Sequence, residues 1–262
     1  MISQHQQNWI IFFHSRRNAL NCDNIFINLN GKRLIPVDHV KYLGIFIDKF
    51  LLLNHHIYEL SKKLSRANGI ISKLRYNAPF EICLQVYYAI FYSHLIYGCS
   101  VWGLTSEENI NKLQVLQNKC LRIMTFAPWN SSTNHLFIQL KLLKVREIIN
   151  MNHLKLVYDF QCHHLPDDLM SLFKLSKDVH STNLVLKSAL NNLLFIPTIE
   201  TKTYGNKWIS YHCTKLWNNT FKTGYLQITE IKKLPISLIN SVHQFKNTLK
   251  KDYLYRCYYL EI

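Results

Sequence analysis

From about Leu53 the chain places apolar residues at Ile57, Leu60, Leu64, Ala67, Ile71 and Leu74. Spacing of i, i+3, i+4 and i+7 lines them along one stripe of an α-helix, where side chains advance by about 100° per residue. Lys62, Arg66 and Lys73 fall roughly opposite that stripe, so one face packs and the other is basic. Before this helix the pattern is strand-like. Trp9 to Phe13 is a short apolar run, Asn24 to Leu29 alternates, and Asn30-Gly31 supplies a turn. Val40 to Ile47 is a further β-rich run, and Pro36 interrupts the path between the two.

Pro79 opens a second helix through Val86, Ala89, Ile90 and Leu95, apolar nearly all round and therefore expected to be central. No formally charged residue stands between Ile82 and Ser106, a length that could cross a bilayer. Gln85, Ser93, His94, Gly98 and Ser100 interrupt it, which predicts a buried helix followed by an extended turn and no membrane partner. Ser106 suits an N-cap, with Glu107 and Glu108 in the first turn where the helix dipole favours acids. Ile110, Leu113, Leu116 or Gln117, Cys120 and Met124 continue that helix. Further helices are expected over about 135–160 and from Val242 to Leu254. Leu193 to Trp217 stays open: Pro197 and a Thr/Tyr alternation suggest a hairpin, whereas Trp208 to Trp217 could be helical. The expected fold class is mainly α, with helical bundles and a small N-terminal antiparallel β element.

Composition changes the picture through charge. Thirty-one Lys and Arg against 16 acids give the 262-residue chain a formal charge of +15 and a pI near 9.5. With 48% hydrophobic residues it is no disordered basic tail, and seven Gly and six Pro are too few for a turn-rich β-sandwich. A cored chain with a basic surface calls for a polyanionic partner, nucleic acid above all. Seven Cys, an odd number without a C-x-x-C pair, fit a reducing compartment, nuclear or cytoplasmic. Met1 to His5 lacks a basic n-region and Trp9 to Phe13 is too short for an h-region, so no secretory signal is read.

Candidate chemistry is sparse. Two-metal nucleotidyl transfer needs clustered carboxylates. Asp167-Asp168 is the one adjacent pair, and after Pro166 it reads as the first turn of a helix. Asp48 closes the Val40 to Ile47 run without a second acid nearby in sequence. Cys162-His163-His164 and His55-His56 are adjacent clusters, but they lack the spacings that close a tetrahedral zinc site. No G-x-S-x-G elbow and no phosphate-cradling Gly-rich loop occurs. The reading is therefore no catalytic and no metal site. Cations are plentiful instead: Arg16-Arg17, Lys32-Arg33, Lys62-Lys63, Arg66, Lys73 and Arg75 load the first third of the chain. Such a patch is what phosphate-backbone binding requires.

The order of segments resembles a known family. H-V-K-Y-L-G-I-F-I-D at residues 39 to 48 is similar to the stretch after the polymerase core of reverse transcriptases from jockey-like, non-long-terminal-repeat retrotransposons. The likeness continues through His56-Ile57, Lys63-Leu64, Gly69-Ile70 and Lys73-Leu74-Arg75. It extends over H-L-x-Y-G-x-x-V-W-G from His94 to Gly103, L-Q-N-K-x-L-R-I from Leu116 to Ile123, Trp217-Asn218, and Phe245 to Lys250.

That resemblance implies a carboxy-terminal fragment of an RNA-directed DNA polymerase. Residues 1–50 would be the end of a palm with a primer-grip-like hairpin, 51–130 a thumb-like bundle, and 131–262 a helical tail with a short hairpin near 193–217. Lys41, Tyr42, Gly44, Lys62, Arg66, Lys73, Arg75, Lys119 and Arg122 would contact RNA or an RNA–DNA hybrid. The family's A-D-D aspartates and endonuclease would lie outside this sequence, and its Lys-Thr pair reads Gln6-Gln7 here. The chain alone is then expected to be inactive and to carry no cofactor, magnesium belonging to the complete family enzyme. The alternative is a domesticated interaction module for protein or nucleic acid, or an inert retroelement remnant. Oligomeric state is not readable.

Overall fold

The Val40 to Ile47 run is not one strand. In the computed structural model it folds back on itself as β4 (His39–Tyr42) and β5 (Ile45–Asp48), an antiparallel hairpin. Leu43 (φ 45°) and Gly44 (φ 81°) form the two-residue turn. Positive φ at both central residues gives the twist that matches paired strands, and Gly supplies one of the two without strain. Asn30 (φ 49°) and Gly31 (φ 74°) make the same kind of turn between β2 (Ile27–Leu29) and β3 (Lys32–Pro36). β1 (Trp9–Ile10) joins β3 in parallel, so this small sheet is mixed rather than wholly antiparallel.

The structure describes residues 9–16, 27–179, 193–205, 208–221, 225–227, 233–235, 239 and 241–259. Gln6, Gln7, Arg17, Cys22 and positions 24–26 of the alternating run lie outside the described residues.

α1 (Asn54–Leu74) buries Ile57, Leu60, Leu64, Ala67 and Ile71, as the periodicity predicts. α5 (Glu107–Thr125) packs along it and buries Ile110, Leu113, Cys120 and Met124. Gln117, not Leu116, completes the buried stripe. Ser106 caps α5, its hydroxyl accepting from the backbone N–H of Asn109 at 3.4 Å. Asn54 meets Asn109 near the two N-termini and Arg75 meets Ile123 near the two C-termini, so the helices run parallel.

The helix opened by Pro79 is α2 (Phe80–Val86), a π-helical segment over Tyr87–Tyr92, and α3 (Ser93–Ile96). It is not apolar-buried all round: Ala89 is exposed and Val86 and Ile90 are half-buried. Cys83, Tyr87, Phe91 and Leu95 are the buried row. A strict four-residue repeat drifts by about 40° per step around an α-helix. The wider π turn takes up that drift and keeps all four on one side. The expected extended turn after it is instead a short helix, α4 (Cys99–Trp102).

The helical stretch expected over 135–160 divides into α6 (Asn134–Gln139) and α7 (Val145–Gln161), with Lys141 at φ 53° between them. Helices Ile209–Thr220 and Val242–Tyr259 pack on α7, and Trp217, Phe221 and Phe245 are fully buried there. Of the two readings of 193–217, the described residues follow the helical one over Ile209–Thr220 and pair no hairpin. That segment makes one bridge, Leu194 to Leu175, and then turns helical, because Cys213 and Trp217 fall four apart on one buried face. The short hairpin of the tail pairs Tyr225–Gln227 with Lys233–Pro235. Among the described residues no helix is long and apolar enough to cross a membrane.

Candidate nucleic-acid interface

With its apolar stripe sealed against α5, α1 presents Tyr58, Lys62, Lys63, Arg66 and Lys73 to solvent. Lys62 Nζ lies 2.8 Å from Glu59 Oε1 and 4.1 Å from the centre of the Tyr58 ring. The hydrogen bond from Lys62 holds the Glu59 carboxyl below its usual range, and the Glu59 bond raises the Lys62 ammonium. Both are solvated, so this pair adds little to stability. Lys63, Arg66 and Lys73 form no ion pair or hydrogen bond among the described residues. Lys119 is also exposed, on α5 and level with the last turns of α1.

Arg75 and Arg122 are placed differently. Arg75 reaches across to α5 and donates to the Ile123 carbonyl at 2.9 Å, with its guanidinium 4.6 Å from the Tyr76 ring centre and 4.4 Å from that of Phe126. A cation there also suits the carbonyl-rich end of α5. Arg122 donates twice to the Ser131 carbonyl, at 3.0 and 2.7 Å, and pins the loop after α5. Sequence reasoning could not separate these two from the free cations, because their acceptors are backbone carbonyls.

At the β4–β5 hairpin, Tyr42 is 62% exposed and Lys41 lies 5.6 Å over the Phe46 ring. Gly44 sits at the tip under Tyr97, whose hydroxyl donates to the Leu43 carbonyl at 2.6 Å. The Trp102 indole N–H in turn donates to the Tyr97 carbonyl at 2.9 Å. A Cβ on Gly103 would collide with Ile149 and with the Cys99 carbonyl. The Y-G-x-x-V-W-G stretch is therefore a strut that ties the hairpin to the helices.

Asp48 is an anchor too. Its carboxylate accepts from the backbone N–H groups of Phe50 (3.0 Å), Leu52 (3.1 Å) and Leu53 (2.5 Å), which fixes the step from β5 into α1. Asp167 and Asp168 occupy the exposed first turn of helix Asp167–Met170. Among the described residues no three His, Cys, Asp or Glu side chains stand together as a metal ion would need.

Several polar residues hold the bundle, Gln117 from the stripe of α5 and two, Asn68 and Asn218, that the periodicity did not single out. Gln117 donates to the Tyr87 hydroxyl (3.0 Å) and to the Leu143 carbonyl (2.9 Å) with no solvent contact. Asn68 donates to the Leu116 carbonyl at 3.0 Å. Asn218 pairs with both backbone groups of Leu194, donating at 2.8 Å and accepting at 3.0 Å. Asn218 lies within the family-like segments, which is the signal that could have found it.

About half of the chain matches curated polymerases. It is 29% identical over 153 residues to the RNA-directed DNA polymerase from mobile element jockey of Drosophila melanogaster, covering 53% of this chain and 17% of that protein. The jockey polymerase of Drosophila funebris is 27% identical over 168 residues, covering 57% and 18%. The probable RNA-directed DNA polymerase from transposon X-element of Drosophila melanogaster is 31% identical over 147 residues, covering 51% and 16%. This chain is similar to part of a non-long-terminal-repeat reverse transcriptase. The matched segments span less than a fifth of these relatives' length. No protein-family model matches the chain, and no solved structure matches it.

Proposed function

We propose that this chain serves as a nucleic-acid-holding part of a retrotransposon reverse transcriptase, with α1 lying along the backbone of an RNA–DNA hybrid. The observation that carries this reading is the one-sided charge of α1: five buried apolar residues on one side, Lys62, Arg66 and Lys73 in solvent on the other, with Lys63 exposed on the flank between them. From Lys62 to Lys73 the helix rises about 16 Å. Along a duplex strand that distance passes roughly five phosphates, at about 3.4 Å each. The likeness to jockey polymerases supports the same partner, since those relatives are RNA-directed DNA polymerases by name. The hairpin tip at Tyr42 and Gly44 would then meet the primer strand.

Filter binding to an RNA–DNA hybrid over a range of salt tests the reading. Three phosphate contacts predict a log–log slope of about −3. Affinity that does not change with salt would overturn it.

A further inference from the structure

The C-terminal ends of α1 and α5 carry a second feature that backbone binding does not use. Tyr76, Phe126 and Trp129 stand there 67%, 58% and 86% exposed, three large rings held in solvent within a short stretch of surface. Tyr76 and Phe126 meet edge to face at 5.6 Å, and the Arg75 guanidinium rests against both rings. Phe126 occupies the left-handed C-cap of α5 (φ 56°), which turns its ring off the helix axis, and Trp129 follows in the loop that Arg122 pins. Beside Phe126 opens a cavity of about 360 Å³, lined among others by Arg75, Phe80, Thr125, Phe126 and Gln139. Among the described residues no carboxylate lines it. Lys141 follows directly on its wall at Leu140 and lies close enough to Lys250 to lower that ammonium's pKa, after burial. The lining is aromatic and carries the Arg75 cation, with the exposed Glu81 following Phe80 as Lys141 follows Leu140, and the volume is at the small end for a ligand pocket.

We propose that Tyr76, Phe126 and Trp129 form a stacking platform for unpaired bases of a single strand that leaves the duplex held along α1. Flat rings offer any base a π-face, and the fixed guanidinium adds a cation beside it without demanding a sequence. The Arg75 cation on the cavity lining complements the phosphates that must accompany such a base. This platform rests on the function proposed above, and it makes a separate demand: affinity must rise when the duplex gains a single-stranded extension.

The test compares a blunt RNA–DNA hybrid with the same hybrid carrying a five-nucleotide single-stranded template extension, at one salt concentration. The wild-type chain should bind the extended probe more tightly. Trp129→Ala and Phe126→Ala should each lower affinity for it by about five- to 150-fold, the range for one stacked base, and leave the blunt probe unchanged. Phe126→Leu keeps apolar bulk against Arg75 without the π-face, and should lose the same preference while melting like the wild type. Equal binding of the two probes by the wild type, or equal losses on both by the variants, overturns the platform and spares the reading of α1. A wild-type chain that binds neither probe overturns both.

Discussion

The hydroxyl of Tyr97 donates a 2.6 Å hydrogen bond to the carbonyl of Leu43, 54 residues earlier and at the tip of the β4–β5 hairpin. The two-residue turn is thereby fastened to the end of the helix that buries Tyr87, Phe91 and Leu95. Hairpins of two strands are marginal alone. This one draws its order from the strut behind it.

Tyr97→Phe removes that bond and little else, because the ring is 57% exposed. Global stability should fall by about 1 kcal/mol or less. Backbone amides of β4 and β5 should exchange with solvent several-fold faster, while those of α1 and α5 keep their protection. Hydrogen exchange resolved by residue checks this, and unchanged hairpin rates would remove the strut from the account.

The two kinds of cation should separate cleanly. Lys62→Ala, Arg66→Ala and Lys73→Ala leave the fold within about 0.5 kcal/mol. Each should make the salt slope of hybrid binding shallower by about 1. Arg75→Gln and Arg122→Gln remove bonds to the Ile123 and Ser131 carbonyls and should lower the urea midpoint by an amount worth about 1–2 kcal/mol. Stable Arg75 and Arg122 variants would show that these internal bonds are dispensable.

Gln117 has no solvent contact and serves two acceptors. Gln117→Leu keeps most of the volume but strands the Tyr87 hydroxyl and the Leu143 carbonyl. An unsatisfied buried group costs about 1–3 kcal/mol, so the loss should be about 2–4 kcal/mol by urea unfolding. Lys119→Ala, two residues on and exposed, serves as the neutral control.

Acid should weaken the fold before most carboxylates titrate. Burial pushes the His153 imidazole down to about 4, with His212 at 5.0 Å and Arg146 adding to the effect. Burial likewise lowers His56 to about 4. The unfolded chain takes up these protons near pH 6.5 and the folded chain does not until about 4. Stability is therefore full above about 6.5 and declines as pH falls toward 4. His153 is wholly buried, and its share at pH 4 is on the order of 3 kcal/mol. Urea midpoints from pH 7 to 5 should fall steadily, and His153→Gln should flatten that decline. A flat wild-type profile would show that these imidazoles stay neutral in both states.

Local pattern carried far in this protein. The 3.6-residue stripe of α1, the Ser106 cap and the Asn30-Gly31 turn are set by residues within four of one another, and local contacts were enough to read them. The basic face of α1 was legible for the same reason, being the complement of its apolar stripe. Tertiary structure decided the rest. Which arginine is held in place depends on carbonyls far off: Arg75 finds Ile123, 48 residues away. The π-helical segment between α2 and α3 keeps a four-residue apolar row aligned on a neighbouring surface, which no count along the chain displays. Asn218 looks like a surface residue until the fold brings Leu194 against it, and Leu143 decides that Gln117 rather than Leu116 is the buried one. Periodicity reports which side of a helix avoids water; only packing decides which polar groups are left facing it.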